Sequence, residues 1–296
     1  MPAASAARSA FTPDGAPARR RRRGLSPAGN AGIGILVVVA VAALAAPNVA
    51  PRNPLAQTLV DRLMPPGTRG THGEVFWVGT DGLGRDALSR LIYGARASLV
   101  VASLAVACSG ALGLFLGLAA GYYRGWVGAV LMRFVDIVLS IPFLLIAIAV
   151  VAALGPGLEH TVLVLGLTRW PRYARVAFAQ TLAGRSREFV DAARALGGTD
   201  VRVMLRHVLP EVLPSIVVVG TLEIGLMIVY EAALSFLGLG VQPPTPSWGN
   251  MLADGRAYLA TGWWLATFPG LAIMVTVLGA NLLGDAVRDR LDPRVR

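Results

Sequence analysis

The chain has 296 residues, 55% of them hydrophobic and only 15% charged, where soluble domains carry about a quarter charged residues. With a mean hydropathy of +0.61, this excludes one soluble domain and reads as an integral membrane protein with several spans. The net charge is +10 and every one of the 27 basic residues is Arg, but no basic, aromatic-interleaved soluble segment carries that charge, so nucleic-acid binding is set aside in favour of arginine flanks on the cytoplasmic ends of spans.

Residues 1–30 are rich in Ala, Pro, Ser and Arg, with "RRRRR" at 19–23. They cannot bury a core and are expected to form a disordered cytoplasmic tail. The segment 31–97 is expected to hold the first span, an extracytoplasmic loop and a surface helix. The span is "GIGILVVVAVAALAAP" at 32–47. A cleaved secretory leader has the same basic-then-apolar order and is the alternative. The loop that follows is punctuated by "PRNP" and "MPPG". Its Gly82-x-Gly84 pair has no strand before it, so it reads as a turn capping the next helix rather than a phosphate loop. Beyond it, Ala87, Leu88, Leu91, Ile92 and Ala95 keep a helical spacing opposite Arg85, Asp86, Arg90 and Arg96, which predicts a helix lying on the membrane surface.

A five-span core is expected over 98–287. The second span, 98–123, places Gly113, Gly117 and Gly121 on one face for close helix packing. Cys108 is the single cysteine, so no intrachain disulfide forms. In 126–155, Arg133 and Asp136 argue that the first part lies near the cytoplasmic interface and that the crossing begins around Ser140-Ile141-Pro142. The fourth span, 159–182, contains Arg169, Arg172 and Arg175, which must approach the cytoplasmic end or face protein. The fifth, 212–240, contains Glu223 and Glu231. These carboxylates read as interhelical hydrogen-bonding groups, or as the ion sites of a secondary transporter. The sixth, 262–287, opens on the Trp263–Trp264 pair of an interfacial belt. Residues 288–296 form a cytoplasmic tail. Six spans put both termini on the cytoplasmic side, together with the connection between spans four and five.

That connection, 186–210, is the most informative stretch. Good helix formers run to Leu196, and Gly197-Gly198 can then take the left-handed conformation that stops a helix. Thr199 or Asp200 can cap a second helix, which Pro210 is expected to interrupt. Val201, Met204, Leu205, Val208 and Leu209 share one side of that helix; Arg202, Arg206 and His207 take the others. It either docks on a soluble partner or rests on the headgroups. His72, His160 and His207 are scattered, and no Cys/His spacing suits a metal.

The stretch resembles the cytoplasmic signature of ABC importer permeases: an acidic-Ala-Ala triplet at Asp191-Ala192-Ala193, then Gly197, then a closing Leu209-Pro210. Asp191 replaces the usual Glu, and His207 the usual Ile. The segments "GTDGLGRDALSRLIYGARASL" (79–99), "EAALSFLGLGVQPPTPSWGNML" (231–252) and "NLLGDAVRDRLDPR" (281–294) are similar to the second permease of dipeptide, oligopeptide and nickel importers. Glu211 stands where that branch often has Asn, and Glu223 has no counterpart in the motif.

The resemblance implies an all-α integral membrane fold of about six transmembrane helices in the bacterial inner membrane. It implies a permease subunit that moves peptides or a peptide-like solute inward and is not itself an enzyme. Its partners would be a second permease subunit, two ATPase subunits or domains, an extracytoplasmic solute-binding protein and membrane lipid. ATP and Mg would sit on the ATPases. This chain lacks G-x-x-x-x-G-K-[ST] and is expected to bind no cofactor. The ATPase-coupling residues would be Asp191, Ala192, Ala193, Gly197, Thr199, Asp200, Val201, Arg202, Met204, Leu205, Arg206, Leu209 and Pro210, with no catalytic or metal-ligating residue.

Overall fold

The structure, a computed structural model, describes residues 26–291. Helix α1 (Pro27–Leu44) begins inside the segment expected to be tail. The Ser26 side chain accepts a hydrogen bond from Gly29 N at 3.1 Å, and Pro27 occupies the first turn, where a missing N–H is harmless. The rest of both tails, 1–25 and 292–296, lies outside the described residues. A short α2 (Ala46–Val49) leads into a loop whose regular structure includes the two-residue strands β1 (Thr68–Arg69) and β2 (Val75–Phe76), paired antiparallel.

Helix α3 (Ala87–Tyr123) corrects one expectation. The surface helix and the second span are a single 37-residue helix. Asp86 caps it, accepting from Ser89 N at 2.8 Å, and Gly84 stands at φ +72° in the turn before it. No residue near 96–98 breaks the helix. Protein, not headgroups, covers its first turns: the Trp248 indole donates to the Leu91 carbonyl at 3.0 Å, and Arg52 N donates to Ser89 Oγ at 3.0 Å.

Helices α4 (Gly125–Ser140) and α5 (Phe143–Leu154) meet at 87°. Pro142 pushes Ile141 into an extended conformation, which ends α4 where the sequence placed the break. Helix α6 (Leu158–Arg185) packs along α3 on the glycine face. Gly113 and Gly117 sit against the Trp170 and Ala174 carbonyls, and a Cβ on Gly121 would stand 2.9 Å from the Phe178 carbonyl oxygen. The four-residue glycine period therefore meets a four-residue period on α6.

Helix α7 (Glu188–Ala195) and α8 (Asp200–Val203) follow, then a π-helical turn (Met204–Val208) and α9 (Leu209–Phe236). Contrary to expectation, Pro210 does not interrupt the helix, which runs from Asp200 to Phe236. The wide π turn just before Pro210 accommodates the proline, whose absent N–H falls within the first residues of α9. Helix α10 (Trp248–Gly255) lies in the next connection, started by a capping box between Ser247 and Asn250. Helix α11 (Trp264–Leu291) closes the bundle. It runs antiparallel to α9, with Gly284 against Leu222 and Gly225 against Val277, and Gly279 packs on Ile35 of α1.

Among the described residues, α1, α3, Asp200–Phe236 and α11 are long and apolar enough to cross a membrane, and the bent α4–α5 pair makes a fifth candidate. The expected fourth span, α6, has 28 residues but carries three arginines at its centre. Arg169 is buried against Glu223 of α9, while Arg172 and Arg175 pair with Glu223 and Asp136 and stay half-exposed.

Candidate functional site

The 186–210 stretch folds over the ends of α3, α6 and α9. α7 stops at a Schellman motif: Gly198 N donates to the Ala193 carbonyl at 3.1 Å and Gly197 N to the Arg194 carbonyl at 2.9 Å. Gly197 has φ +83°, the left-handed conformation anticipated for it. Around Gly197 a Cβ would meet open space, whereas at Gly198 it would stand 2.7 Å from the Ala193 carbonyl oxygen. The two glycines thus serve different ends, one conformational and one steric. Thr199 occupies the N-cap of α8 but makes no side-chain capping bond there. Asp200 does not cap either; its carboxylate accepts the Tyr122 hydroxyl at 2.8 Å.

Three valines pin the stretch to the bundle. Val190, Val203 and Val208 are fully buried in a cluster with Leu118, Tyr122, Tyr173 and Val212. Ala193, Met204 and Leu209 pack against the same cluster from its edge. This redraws the apolar face expected to meet a partner. Val208, Met204 and Leu209 turn inward, because the helix continuing into α9 must bury the side that joins α3 and α6. Val201 and Leu205 turn outward at 54% and 43% exposure, and Leu196, beside the hinge glycine, is 89% exposed. Asp191, Ala192, Gly197, Thr199, Asp200, Arg202, Arg206 and Pro210 are exposed with them.

Sequence reasoning missed Tyr122. Its ring is buried between two guanidinium groups, Arg185 at 5.3 Å and Arg194 at 5.2 Å from the centroid. Arg185 also donates to the Tyr122 carbonyl. So the end of α3, the end of α6, the end of α7 and the start of α8 converge on one side chain. The partners lie 63 and 78 residues away in sequence, beyond the reach of any local pattern. Arg187 and Glu211 close the outer edge of this junction with an ion pair at 2.6 Å.

The arrangement offers an apolar knob and flanking charges on a rigidly anchored scaffold. It holds no nucleophile–base pair, and no group of three or more metal-ligating side chains occurs among the described residues.

Residues 113–296 match the model of a family described as the binding-protein-dependent transport system inner membrane component. The chain belongs to this family. This permease is 43% identical over 265 residues to the di/tripeptide transport system permease protein DppC of Pseudomonas aeruginosa, across 90% of this chain and 88% of that one. It is 46% identical over 220 residues to the glutathione transport system permease protein GsiD of Escherichia coli, covering 74% and 73% of the two chains. A chain of the MetNI methionine ABC transporter, solved in inward-facing conformations, superposes with a TM-score of 0.52 at 22% identity, covering 68% of this chain and 96% of that one. That likeness establishes a shared fold.

The permease is a multi-pass protein of the bacterial inner membrane. Its relatives are transport permeases rather than enzymes. The secondary-transporter reading of Glu223 and Glu231 gives way to family membership and to the pairing of both carboxylates. Glu223 is held by Arg169 at 3.1 Å and Arg172 at 2.7 Å; Glu231 accepts the hydroxyls of Ser98 at 2.7 Å and Ser235 at 2.8 Å.

Proposed function

We propose that this chain is one permease subunit of an ATP-driven importer for peptides or peptide-like solutes. The observation that carries the reading is 43% identity along 90% of the chain to a di/tripeptide permease. In this reading six spans cross the membrane, with both termini and residues 186–210 in the cytoplasm. A second permease subunit completes the pathway, an extracytoplasmic binding protein delivers the solute, and two ATPase subunits bind ATP and Mg.

The outward face of Leu196, Val201 and Leu205, flanked by Arg202 and Arg206, suits the groove of a soluble ATPase. Asp191, Ala192, Gly197, Thr199 and Asp200 border that contact. Met204, Leu209 and Ala193 support it from within. ATP can shift the permease between states only if the ATPases grip those states differently, and this face is where the difference would be delivered.

The test is reconstitution in vesicles with the neighbouring permease, ATPase and binding-protein subunits. Dipeptide uptake should require ATP and all partners, and the isolated chain should neither bind nor hydrolyse ATP. Replacing Leu205 with Asp should release the ATPases, or cut uptake roughly tenfold, because a buried unpaired charge at an interface core costs several kcal/mol. Uptake that survives without any ATPase, driven by an ion gradient, would sink the proposal.

A further inference from the structure

Three arginines of α6, Arg169, Arg172 and Arg175, follow one another at three-residue spacing and so spiral over one side of the helix. Arg172 and its partner Glu223 are each at the centre of a 28-residue helix, α6 and α9. That places the pair about 21 Å along either helix, far from both ends. The cluster is graded. Arg169 is 11% exposed and takes both oxygens of Glu223, which is itself buried. Arg172 is 52% and Arg175 57% exposed, and Arg175 pairs with Asp136 of α4 at 2.5 Å. Toward the opposite end, the Arg169 guanidinium lies over the Tyr230 ring at 4.9 Å, and the Phe143 ring sits 4.6 Å from Tyr230. The charged side of α6 is therefore flanked by Asp136 of α4 and Glu223 of α9, with the Tyr230 and Phe143 rings beyond Arg169.

Half-exposed arginines at the middle of a membrane helix cannot face hydrocarbon. Three guanidinium groups against two carboxylates also leave this side of α6 with an excess positive charge. Arg172 makes one side-chain hydrogen bond among the described residues, from Nη1 to Glu223, and its side chain is 52% exposed. A planar fork with free donors, fixed by a buried anion behind it, is the arrangement that receives a second carboxylate.

We infer that this side of α6 lines the water-filled solute pathway, and that Arg172 takes the carboxylate of a solute as it passes. The inference rests on the importer reading, and every free peptide supplies such a carboxylate. Arg169 anchors Glu223, Glu223 orients Arg172, and the Asp136–Arg175 pair forms the next polar step. The net excess of one charge lets the site attract an anion without trapping it between several free guanidinium groups.

The experiment uses the complete reconstituted complex in a Cys108→Ser background. Arg172→Cys and Arg175→Cys should react with water-soluble methanethiosulfonate reagents roughly tenfold faster than Leu167→Cys, an exposed apolar position on another side of α6. Arg172→Gln should lower uptake of radiolabelled dialanine roughly tenfold, the loss expected for a charge-assisted hydrogen bond, while ATP hydrolysis stimulated by loaded binding protein persists. Arg172→Lys should keep much of the uptake. Arg172→Gln combined with Glu223→Gln should bring no recovery.

An Arg172→Cys as inert as Leu167→Cys would show the face covered by lipid or a partner subunit and overturn the inference. Full recovery in the double variant would overturn it too, making the pair structural only. Both results leave the importer reading intact. That reading fails separately, if the unaltered assembled complex imports nothing with ATP.

Discussion

At the scale of single residues, Gly197 is the sharpest case. Its φ of +83° is one that side chains with a branched Cβ cannot hold without strain, and the space around it is otherwise open. The penalty for Gly197→Val is therefore conformational alone, of order 1 to 3 kcal/mol. That is small beside a bundle of packed spans but large for the orientation of α8. Gly197→Val is expected to leave insertion and assembly intact while solute-stimulated ATP hydrolysis becomes uncoupled from uptake. Gly197→Asn should be milder, because Asn tolerates the left-handed region. Equal, wild-type coupling in both variants would show that the hinge has no mechanical role. Tyr122 illustrates the opposite kind of residue. It has no conformational peculiarity and matters by holding four chain segments together. The sequence displays a glycine pair openly but gives no sign of a tyrosine whose partners are 63 and 78 residues distant.

At the scale of elements, the glycine ladder of α3 gives a test with its own control. A Cβ on Gly117 would collide with the Ala174 backbone carbonyl of α6, whereas one on Gly34 of α1 would touch nothing within 4 Å. Gly117→Ala should lower stability by about 1 to 3 kcal/mol, the cost of overpacking. Gly34→Ala should be neutral or stabilising by up to about 1 kcal/mol, the difference in helix propensity. Thermal unfolding of the purified permease in detergent reads both, and a Gly117→Ala that unfolds with the wild type would show that α3 and α6 can move apart freely. Elements were legible where one local rule dominated: the Ser140–Pro142 break, the glycine face and the Gly197 stop all follow from neighbouring residues. They were misread where packing overrode a local rule. Pro210 should end a helix, but the π turn at Met204–Val208 absorbs it. The apparent surface helix at 85–96 keeps an amphipathic pattern, yet Arg85 and Arg90 on its polar side pair with Asp81 and Asp254. Helical spacing likewise finds an apolar stripe over 201–209 but cannot say which edge the bundle claims: Val208, Met204 and Leu209 turn inward, Val201 and Leu205 outward.

For the whole molecule, the proposed six-span arrangement makes a topological prediction. Cysteines placed at positions 200 and 72 in a Cys108→Ser background should react with an impermeant reagent from opposite sides, position 72 from outside intact cells and position 200 only after the membrane is opened. Labelling of position 200 from outside would overturn the orientation. That the chain is an integral membrane protein was readable from composition, because 55% hydrophobic residues with 15% charged do not suit one soluble domain. The fate of α6 was not. Its arginines are affordable in a membrane only through Glu223 and Asp136, and those pairings emerge when α4, α6 and α9 are assembled.

The unbroken helix from Asp200 to Phe236 also sets a lever ratio. With the π turn as fulcrum, the short arm is the turn Asp200–Val203 that carries Val201, and the long arm is α9. The 28 residues of α9 span about 42 Å, so a tilt of about 10° at the fulcrum sweeps Phe236 sideways by about 7 Å. A displacement of about 1 Å at the short arm is thereby magnified severalfold at the far end of α9. In the proposed importer, stiffness more than contact area would limit how faithfully a nucleotide-driven push at the short arm reaches the far end of α9.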